Sequence, residues 1–419
     1  MNLNIRLDEY CESVRDGTHD TPKPTSEGFP LVTSKAIKNN KIDFDACYFI
    51  SEDDYNKINK RSKVDTWDVL MTMIGTVGRL LLVKDIPSYA IKNIALFKVN
   101  DEYKAKWLYY YLSTKNVQDY FEMIASGTSQ HFIGLGHLRK LKITDYRSDS
   151  KQIVDTLSTY DELIENNNKR IAILEQMAEN LYKEWFVRFR FPGYETAKLI
   201  DTRLGKIPFG FSVIQMNDAF EYYIGGGWGE DNYSEAFPEK AYVIRGTDFP
   251  KVQKGDLSTC PLRYHKKSNY APRELKENDI IIEVSGGTAE QPVGRTLIVN
   301  KDVLDRLGNK VICASFCKLI RLNTEVVAPY YFYYWMQFLY NTRVIDRFQL
   351  QSTGIINFKF EYFLRKGDIM LPPRDLMEMF DTKVKTLHEQ ISLLSKQNEN
   401  LIKQRDLLLP RLMSGKLEV

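Results

Sequence analysis

No run in this sequence is apolar for long enough to cross a bilayer. The most membrane-like stretch, Ala328 to Tyr340, is thirteen residues of mostly aromatics. A spanning helix needs roughly twenty, so this one predicts a buried helix. The start, Met1-Asn2-Leu3-Asn4-Ile5-Arg6, lacks the apolar core of a secretory leader. Cysteine is scarce: Cys11, Cys47, Cys260, Cys313 and Cys317 are odd in number, and no pair has CxxC spacing. That argues against a disulfide framework or a zinc site and predicts a reduced, cytoplasmic protein. Cys313 and Cys317 flank an apolar, strand-like stretch and are expected as small core residues. An excess of one charge is also missing. Lys+Arg number 58 against 55 Asp+Glu, a formal charge of +3, which excludes a grossly basic, histone-like binder.

Catalytic signatures are missing as well. There is no GxxxxGK[ST] loop for ATP. Pro372-Pro373 follows Leu371, not the Asn or Asp of a base-methyltransferase motif. Asp279 and Glu283 are followed by Val284 and Ser285, without the Lys of a nuclease cluster. His19, His131, His137, His265 and His388 have no HExxH or other tight ligand spacing, and His388 is read as solvated. Gly225-Gly226-Gly227-Trp228-Gly229 lacks GxGxxG spacing and so is no dinucleotide fingerprint. None of these motifs offers a catalytic site in this chain.

What is there is an internal repeat. The chain has 419 residues, 43% hydrophobic and 27% charged, enough for two to four domains with real cores. Glu179-Asn180-Leu181-Tyr182-Lys183 recurs as Glu399-Asn400-Leu401-Ile402-Lys403, 220 residues later. Around the first copy Ile153, Leu157, Tyr160, Ile164, Asn167, Ile171, Leu174, Ala178, Leu181 and Trp185 recur at alternating steps of four and three. Around the second, Phe380, Val384, Leu387, Ile391, Leu394, Asn398, Leu401, Arg405 and Leu408 do the same. Neither segment holds Pro or Gly. Both predict long amphipathic helices with a seam for a partner helix, the polar seam residues fixing register at some cost in stability. The second is expected to stop at Pro410.

Upstream of each helix the repeat continues in order. Phe29–Lys35 matches Lys240–Gly246, and Trp67–Met71 matches Asn278–Ile282. Val77-Gly78-Arg79-Leu80 matches Val293-Gly294-Arg295-Thr296, and the ring-rich Leu108–Leu112 matches Phe332–Met336. Further on, Ser126-Gly127-Thr128 matches Ser352-Thr353-Gly354, while Phe132 and Leu138 match Phe358 and Leu364. The organisation predicted is a mixed domain over 1–148, a long helix over 149–188, a second mixed domain over 189–371, and a second helix with its tail over 372–419. Gly205-Lys206-Ile207-Pro208-Phe209-Gly210 reads as a flexible joint.

Two such helices can pair antiparallel and relate two similar α+β domains by a pseudo-twofold axis. From Ile153 to Trp185 the rise is about 48 Å at ~1.5 Å per residue. Paired modules on a fixed spacer suit two half-sites about one turn of duplex DNA apart. The rival expectation is a coiled-coil adaptor whose two domains bind proteins.

The tail Leu407-Leu408-Leu409-Pro410-Arg411-Leu412-Met413-Ser414-Gly415-Lys416-Leu417 closely resembles the end of type I restriction–modification specificity subunits. Asn168 to Glu175 through Trp185-Phe186-Val187 looks like that family's central helix. Asp16-Gly17-Thr18-His19-Asp20-Thr21-Pro22 and Ile207-Pro208-Phe209-Gly210-Phe211 resemble the starts of its two target-recognition domains. The resemblance implies a non-catalytic DNA-binding subunit whose two domains each read one half of a bipartite duplex site. The paired helices would space them and dock two methyltransferase subunits, with Tyr160, Ile164, Ile171, Leu174, Leu181, Trp185, Leu387, Ile391, Leu394, Leu401 and Leu408 in the seam. Motor–nuclease subunits would complete the complex. S-adenosylmethionine, ATP and magnesium would belong to the partner subunits, with no cofactor or metal in this chain and no membrane contact.

Base readout needs donors and acceptors on loops, with cations and small hydroxyls anchoring phosphates. In the first domain Arg15, Thr18, His19 and Lys23 sit in a Gly/Pro-punctuated loop; Thr33, Ser34 and Lys35 lie at a strand end; Gly75 to Arg79 is a third cluster; Ser126, Thr128, Gln130 and His131 form a fourth. The second domain offers Gly226, Gly227 and Trp228; Arg245 and Thr247; Ser285 with Arg295; and Ser352, Thr353, Asn357 and Lys359. Small residues let backbone approach a phosphate, with Trp228 packed or wedged. His131 aligned with Asn357 is of most interest, since both side chains can pair with base edges.

Overall fold

Val69-Leu70-Met71 and Ile280-Ile281-Ile282 are apolar without alternation, which fits strands buried on both faces. The computed structural model, which describes residues 4–38, 40–125, 131–146, 150–288, 291–352 and 355–417, bears this out. The chain divides into two compact units, Met1–Ile164 with Asn400–Val419, and Glu165–Glu399.

In the first unit a four-stranded antiparallel sheet runs in the order Ser13–Asp16, Ile94–Lys98, Val69–Thr72, Leu80–Leu82. One face, with Val69, Met71, Ala95 and Phe97, packs on Ala105, Leu108 and Leu112 of the ring-rich helix Glu102–Ser113. The opposite face, with Leu70, Leu81 and Leu96, packs on Val32 and Ile91 of a smaller sheet. That sheet is Tyr48–Ile50, Phe29–Val32, Ala90–Ile91, its last pair parallel. A further pair, Asn4–Arg6 with Lys142–Thr144, closes the domain.

The second unit has the same topology. Its four-stranded sheet is Phe220–Gly225, Cys317–Leu322, Ile280–Glu283, Thr296–Ile298. Its smaller sheet is Leu262–His265, Glu239–Ile244, Val311–Cys313, again with a parallel last pair. The closing pair is Ser212–Gln215 with Asp368–Leu371. Ala328–Tyr340 lies in the mostly buried helix Pro329–Asn341, as its composition predicts. The repeat in sequence is therefore a repeat in fold.

The two long helices are Ser150–Tyr182 and Arg374–Met413. Inside the first unit Val154 and Leu157 pack on Leu409, Leu412 and Met413, and Asp161 takes an ion pair from Arg405 at 2.6 Å. Inside the second, Ile171 meets Ile391 and Leu394, while Trp185 and Phe186 meet Phe380. Rising numbers on one helix face falling numbers on the other, so the pairing is antiparallel. The seam amides meet too: Asn167 donates to Asn398 and Asn398 to Asn168, both at 3.0 Å. Every predicted seam position is buried or half-buried.

Three expectations are corrected. The second helix does not stop at Pro410 but runs to Met413. Pro410 has no N–H to give the Asp406 carbonyl, a loss of about 3 kcal/mol. Burial of Leu409, Leu412 and Met413 against Trp107 and Tyr110 offsets it at roughly 1.5–3 kcal/mol for each large side chain. The segment read as a flexible joint is one arm of a hairpin, Leu199–Thr202 with Gly205–Pro208. Beyond Tyr182 the first helix continues as a wider turn, Lys183–Val187, where the Arg188 N–H reaches the Lys183 carbonyl and Phe189 turns left-handed at φ 56°. Finally, His388 is not solvated. Its ring packs among Tyr330, Tyr333 and Tyr334, with Nε2 at 3.0 Å from the Tyr334 hydroxyl.

Burial pushes the His388 pKa from the usual 6.5 down to about 4. The unfolded chain therefore takes up a proton below 6.5 that the folded chain refuses until about 4. Stability from this site is whole above pH 6.5 and is lost as pH falls from 6.5 towards 4, by up to roughly 3 kcal/mol. His388→Gln, which keeps an acceptor near Tyr334, should show a shallower loss over that window when urea unfolding is followed against pH. Parallel curves for the two proteins would refute the assignment. At the amide knot, Asn398→Ala should cost about 1–3 kcal/mol by stranding the buried Asn167 amide. The pair Asn167→Leu with Asn398→Leu should recover that loss in the same unfolding measurement.

Candidate nucleic-acid interface

The polar clusters gather around one tight turn in each domain. In the first domain the turn joins Ala90–Ile91 to Ile94–Lys98. Gly17 donates to the Ile94 carbonyl and Thr18 to the Ile91 carbonyl; Lys92 donates to the Val32 carbonyl, next to Thr33. Thr72, at the end of its strand, pairs with Ile94, and the Gly75 N–H reaches the His131 carbonyl. In the second domain the turn is Cys313–Cys317. Gly226 donates to the Cys317 carbonyl and Gly227 to the Cys313 carbonyl; Ala314 donates to the Ile244 carbonyl, next to Arg245; Val284, next to Ser285, donates to the Phe316 carbonyl. Three bonds recur in both domains, from Gly17 and Gly226, from Thr18 and Gly227, and from Lys92 and Ala314, so Gly17-Thr18-His19 is the counterpart of Gly226-Gly227-Trp228, and Thr33 that of Arg245.

Glycine is required at these crossings for steric reasons. A Cβ on Gly17 would lie 2.3 Å from the Ile91 carbonyl oxygen, and one on Gly226 would lie 2.1 Å from that of Ala314. Within the run at 225–229, Gly226, Gly227 and Gly229 thus lie close against protein, while Gly225 faces open space and Trp228 is exposed. Gly75 and Gly286 instead hold left-handed φ values of 78° and 101° in open space, at equivalent points beyond the third strand.

The remaining candidates divide into engaged and accessible side chains. Arg15 lies on the strand Ser13–Asp16, not in the loop, exposed and donating to the Arg61 carbonyl. The buried Asp16 carboxylate is held by Arg61 and by His19 Nε2 at 2.8 Å, and His19 Nδ1 meets Asn93 at 2.8 Å. The Thr18 hydroxyl accepts from the Asp20 N–H. Lys23 is exposed in a cleft with Lys57, Arg61 and Asp54. Lys35 is exposed; the Ser34 hydroxyl is buried with no partner among the described residues. Arg79 is exposed and donates to the Ile37 carbonyl at 3.2 Å.

In the second domain the arginines are held inside the protein. Arg245 grips the buried Asp248 through two bonds of 2.9 Å, which raises its pKa, and it also reaches the Thr259 carbonyl. Arg295 forks onto Glu283 through two bonds of 2.8 Å, with little of either side chain exposed. Trp228 is stacked by Arg263 at 4.6 Å. Thr247 is exposed, and Lys359 is half-buried before the helix Phe360–Lys366. Ser285 and Asn357, from different clusters, meet: the Ser285 hydroxyl donates to Asn357 Oδ1 at 2.7 Å on paired strands.

The proposed alignment of His131 with Asn357 is off by one residue. Ile133 donates to the Met73 carbonyl where Phe358 donates to that of Val284, so the counterpart of Asn357 is Phe132. Ser126, Thr128, Gln130 and Thr353 lie outside the described residues, and Ser352 is described only as backbone of the strand Gln349–Ser352. Sequence reading missed Asp16, Arg61, Lys92, Asn93 and Phe316, all on or beside the two turns. The signal for the turns was there, in a polar or small pair set between apolar strands: Lys92-Asn93 and Ala314-Ser315. Among the described residues no group of acidic, His and Cys side chains could hold a metal ion, and no helix is long and apolar enough to cross a membrane.

Loops presented from one end of a duplicated sheet, with backbone fixed and polar side chains outward, are an arrangement for surface recognition. Comparison with known proteins agrees. Residues 4–176 match the family model of the type I restriction modification DNA specificity domain. This segment is similar to that domain, the family the sequence resembles. A type I restriction enzyme MjaIX specificity subunit of Methanocaldococcus jannaschii is 26% identical over 361 residues, covering 84% of this chain and 78% of the relative. A putative type I restriction enzyme MjaX specificity subunit of the same organism is 22% identical, covering 99% and 93%. The crystal structure of a type I restriction–modification S subunit from M. genitalium shares the fold, with a TM-score of 0.55 at 15% identity over 98% of this chain and 95% of that one.

The crossing glycines give a test of what the interface depends on. Gly17→Ala and Gly226→Ala should each lower stability by about 1–3 kcal/mol or more, since backbone must move. Gly75→Ala, strained but uncrowded, should cost about 1–2 kcal/mol. Thermal unfolding distinguishes them; equal, small losses at all three positions would contradict the crowded crossing.

Proposed function

We propose that the chain is the DNA sequence-specificity subunit of a type I restriction–modification enzyme. Each α+β domain reads one half of a bipartite duplex site, with the domains, spacer helix and tail divided as the sequence suggests. The helix pair separates the two readers and docks two methyltransferase subunits; motor–nuclease subunits join them. Chemistry belongs to those partners, with their S-adenosylmethionine, ATP and magnesium. The observation that carries this reading is the duplicated set of loops bonded to equivalent turns, on a chain whose residues 4–176 match a DNA specificity domain. Exposed Ile173, Met177 and Leu393 on the paired helices support the docking role, since apolar side chains left on a rigid helix face suit a protein partner.

Binding of this kind is driven by phosphate contacts and falls with salt. For six to ten such contacts, duplex affinity should drop about 10³-fold or more between 50 and 200 mM salt. Only duplexes sharing both half-sites should compete fully, each mismatch costing ~1–3 kcal/mol. Titration of a labelled duplex, with methyltransferase subunits present and absent, measures both effects. If no duplex binds in either state, the protein-binding adaptor replaces this reading.

A further inference from the structure

We infer that Phe316 is a base-contacting residue of the second recognition domain, one that packs on the 5-methyl group of a thymine in its half-site. This rests on the DNA-reading function proposed above. Phe316 is 66% exposed. Exposure alone decides nothing, since Phe209 and Ile86 are more exposed. Its place decides. The ring stands on the three-residue turn Ala314 to Phe316, whose shoulders Cys313 and Cys317 are fully buried strand ends. The Cys317 N–H closes the turn on the Ala314 carbonyl at 2.8 Å, and the Phe316 carbonyl takes the Val284 N–H at 2.8 Å. Backbone that fixed holds the ring out at little further loss of chain entropy on binding.

The same turn receives the Gly226-Gly227 loop, the strand leading to Arg245 and the strand leading to Ser285 and Asn357. Phe316 is therefore where three polar clusters converge. Of those clusters' side chains, Arg245 and Arg295 are spent on Asp248 and Glu283. Thr247 is exposed, and Ser285 and Asn357 are hydrogen-bonded to each other at 2.7 Å, so the turn sets an apolar ring among polar groups. Among the groups base pairs present in the major groove, the thymine methyl is the apolar one, and aromatic side chains suit it. The first domain differs at the equivalent turn. There the turn is one residue shorter, Lys92 and Asn93 alone, and these are tied to Thr21 at 2.5 Å and His19 at 2.8 Å. One scaffold thus presents an apolar probe in one reader and a polar one in the other.

The test uses the full chain with its methyltransferase subunits and the duplex motif returned by methylome sequencing of cells carrying the system. Phe316→Ala should melt with the wild type, because the ring is mostly in solvent. It should weaken binding about 5- to 10-fold and relax one A·T position of the second half-site, leaving the first half-site unchanged. Replacing that thymine by deoxyuridine should cost the wild type a similar factor and Phe316→Ala nothing more. Unchanged affinity and motif in the variant, a deoxyuridine effect equal in both proteins, or a second half-site without an A·T pair would each overturn the inference. If the wild type methylates no bipartite motif at all, it is the DNA-reading function that fails, not this residue's role within it.

Discussion

The interface rests on a crossing with no room for a methyl group. In each domain the chain leaving the first sheet strand passes over a turn so closely that a Cβ would sit 2.1 to 2.3 Å from a carbonyl oxygen. That proximity lets two successive backbone N–H groups bond to the turn, at Gly17 and Thr18 in one domain and at Gly226 and Gly227 in the other. Everything outward of the crossing inherits its position from it. The polar loops need no stability of their own, because buried strands on both sides fix their ends. Side chains there can change without disturbing the fold, which is the condition for one scaffold to read many sequences.

A second constraint acts along the helices. The seam is apolar except at Asn167, Asn398 and Arg405, and each of these finds a polar partner: amide with amide at 3.0 Å, and guanidinium with Asp161 at 2.6 Å. A leucine at such positions would add burial. It would also tolerate slippage, since apolar knobs fit any hole one heptad away. Buried amides cannot slip without losing their bonds, at about 1–3 kcal/mol for each stranded group. The seam gives up some stability for a defined register, and register is what a spacer has to provide.

Much of this was legible in the sequence, for reasons that also mark where reading stopped. The doubled strands and the seam were found because each is a local pattern, unalternating apolar runs or steps of three and four. The hairpin Leu199–Thr202 with Gly205–Pro208 was taken for a joint because Gly and Pro at its second arm look like loop chemistry. His388 was judged from its own helix, while the tyrosines that bury it come from a helix some fifty residues earlier. Arg245 and Arg295 read as phosphate anchors by type. Only their meeting with Asp248 and Glu283 shows that charge is already satisfied. The one-residue slip between His131 and Asn357 has the same origin. Strand register is set by partners at Met73 and Val284, which spacing within the loop cannot reveal.

Engaged arginines change the physical picture of the interface. A reader covered with free guanidinium groups would hold any duplex tightly, through phosphates that carry no sequence. The first domain keeps Lys23, Lys35 and Arg79 exposed, whereas in the second domain Arg245, Arg263 and Arg295 are bound to carboxylates, and what remains on its turn is hydroxyl and ring. Such groups add little to non-specific affinity and lose much when a base is wrong, because a buried donor left without its partner costs more than a made bond gains. The arrangement favours discrimination over grip. Under the function proposed above, a chain with two readers accepts that weakness, since a site matching both halves would be held twice, the second contact forming within the complex the first has made.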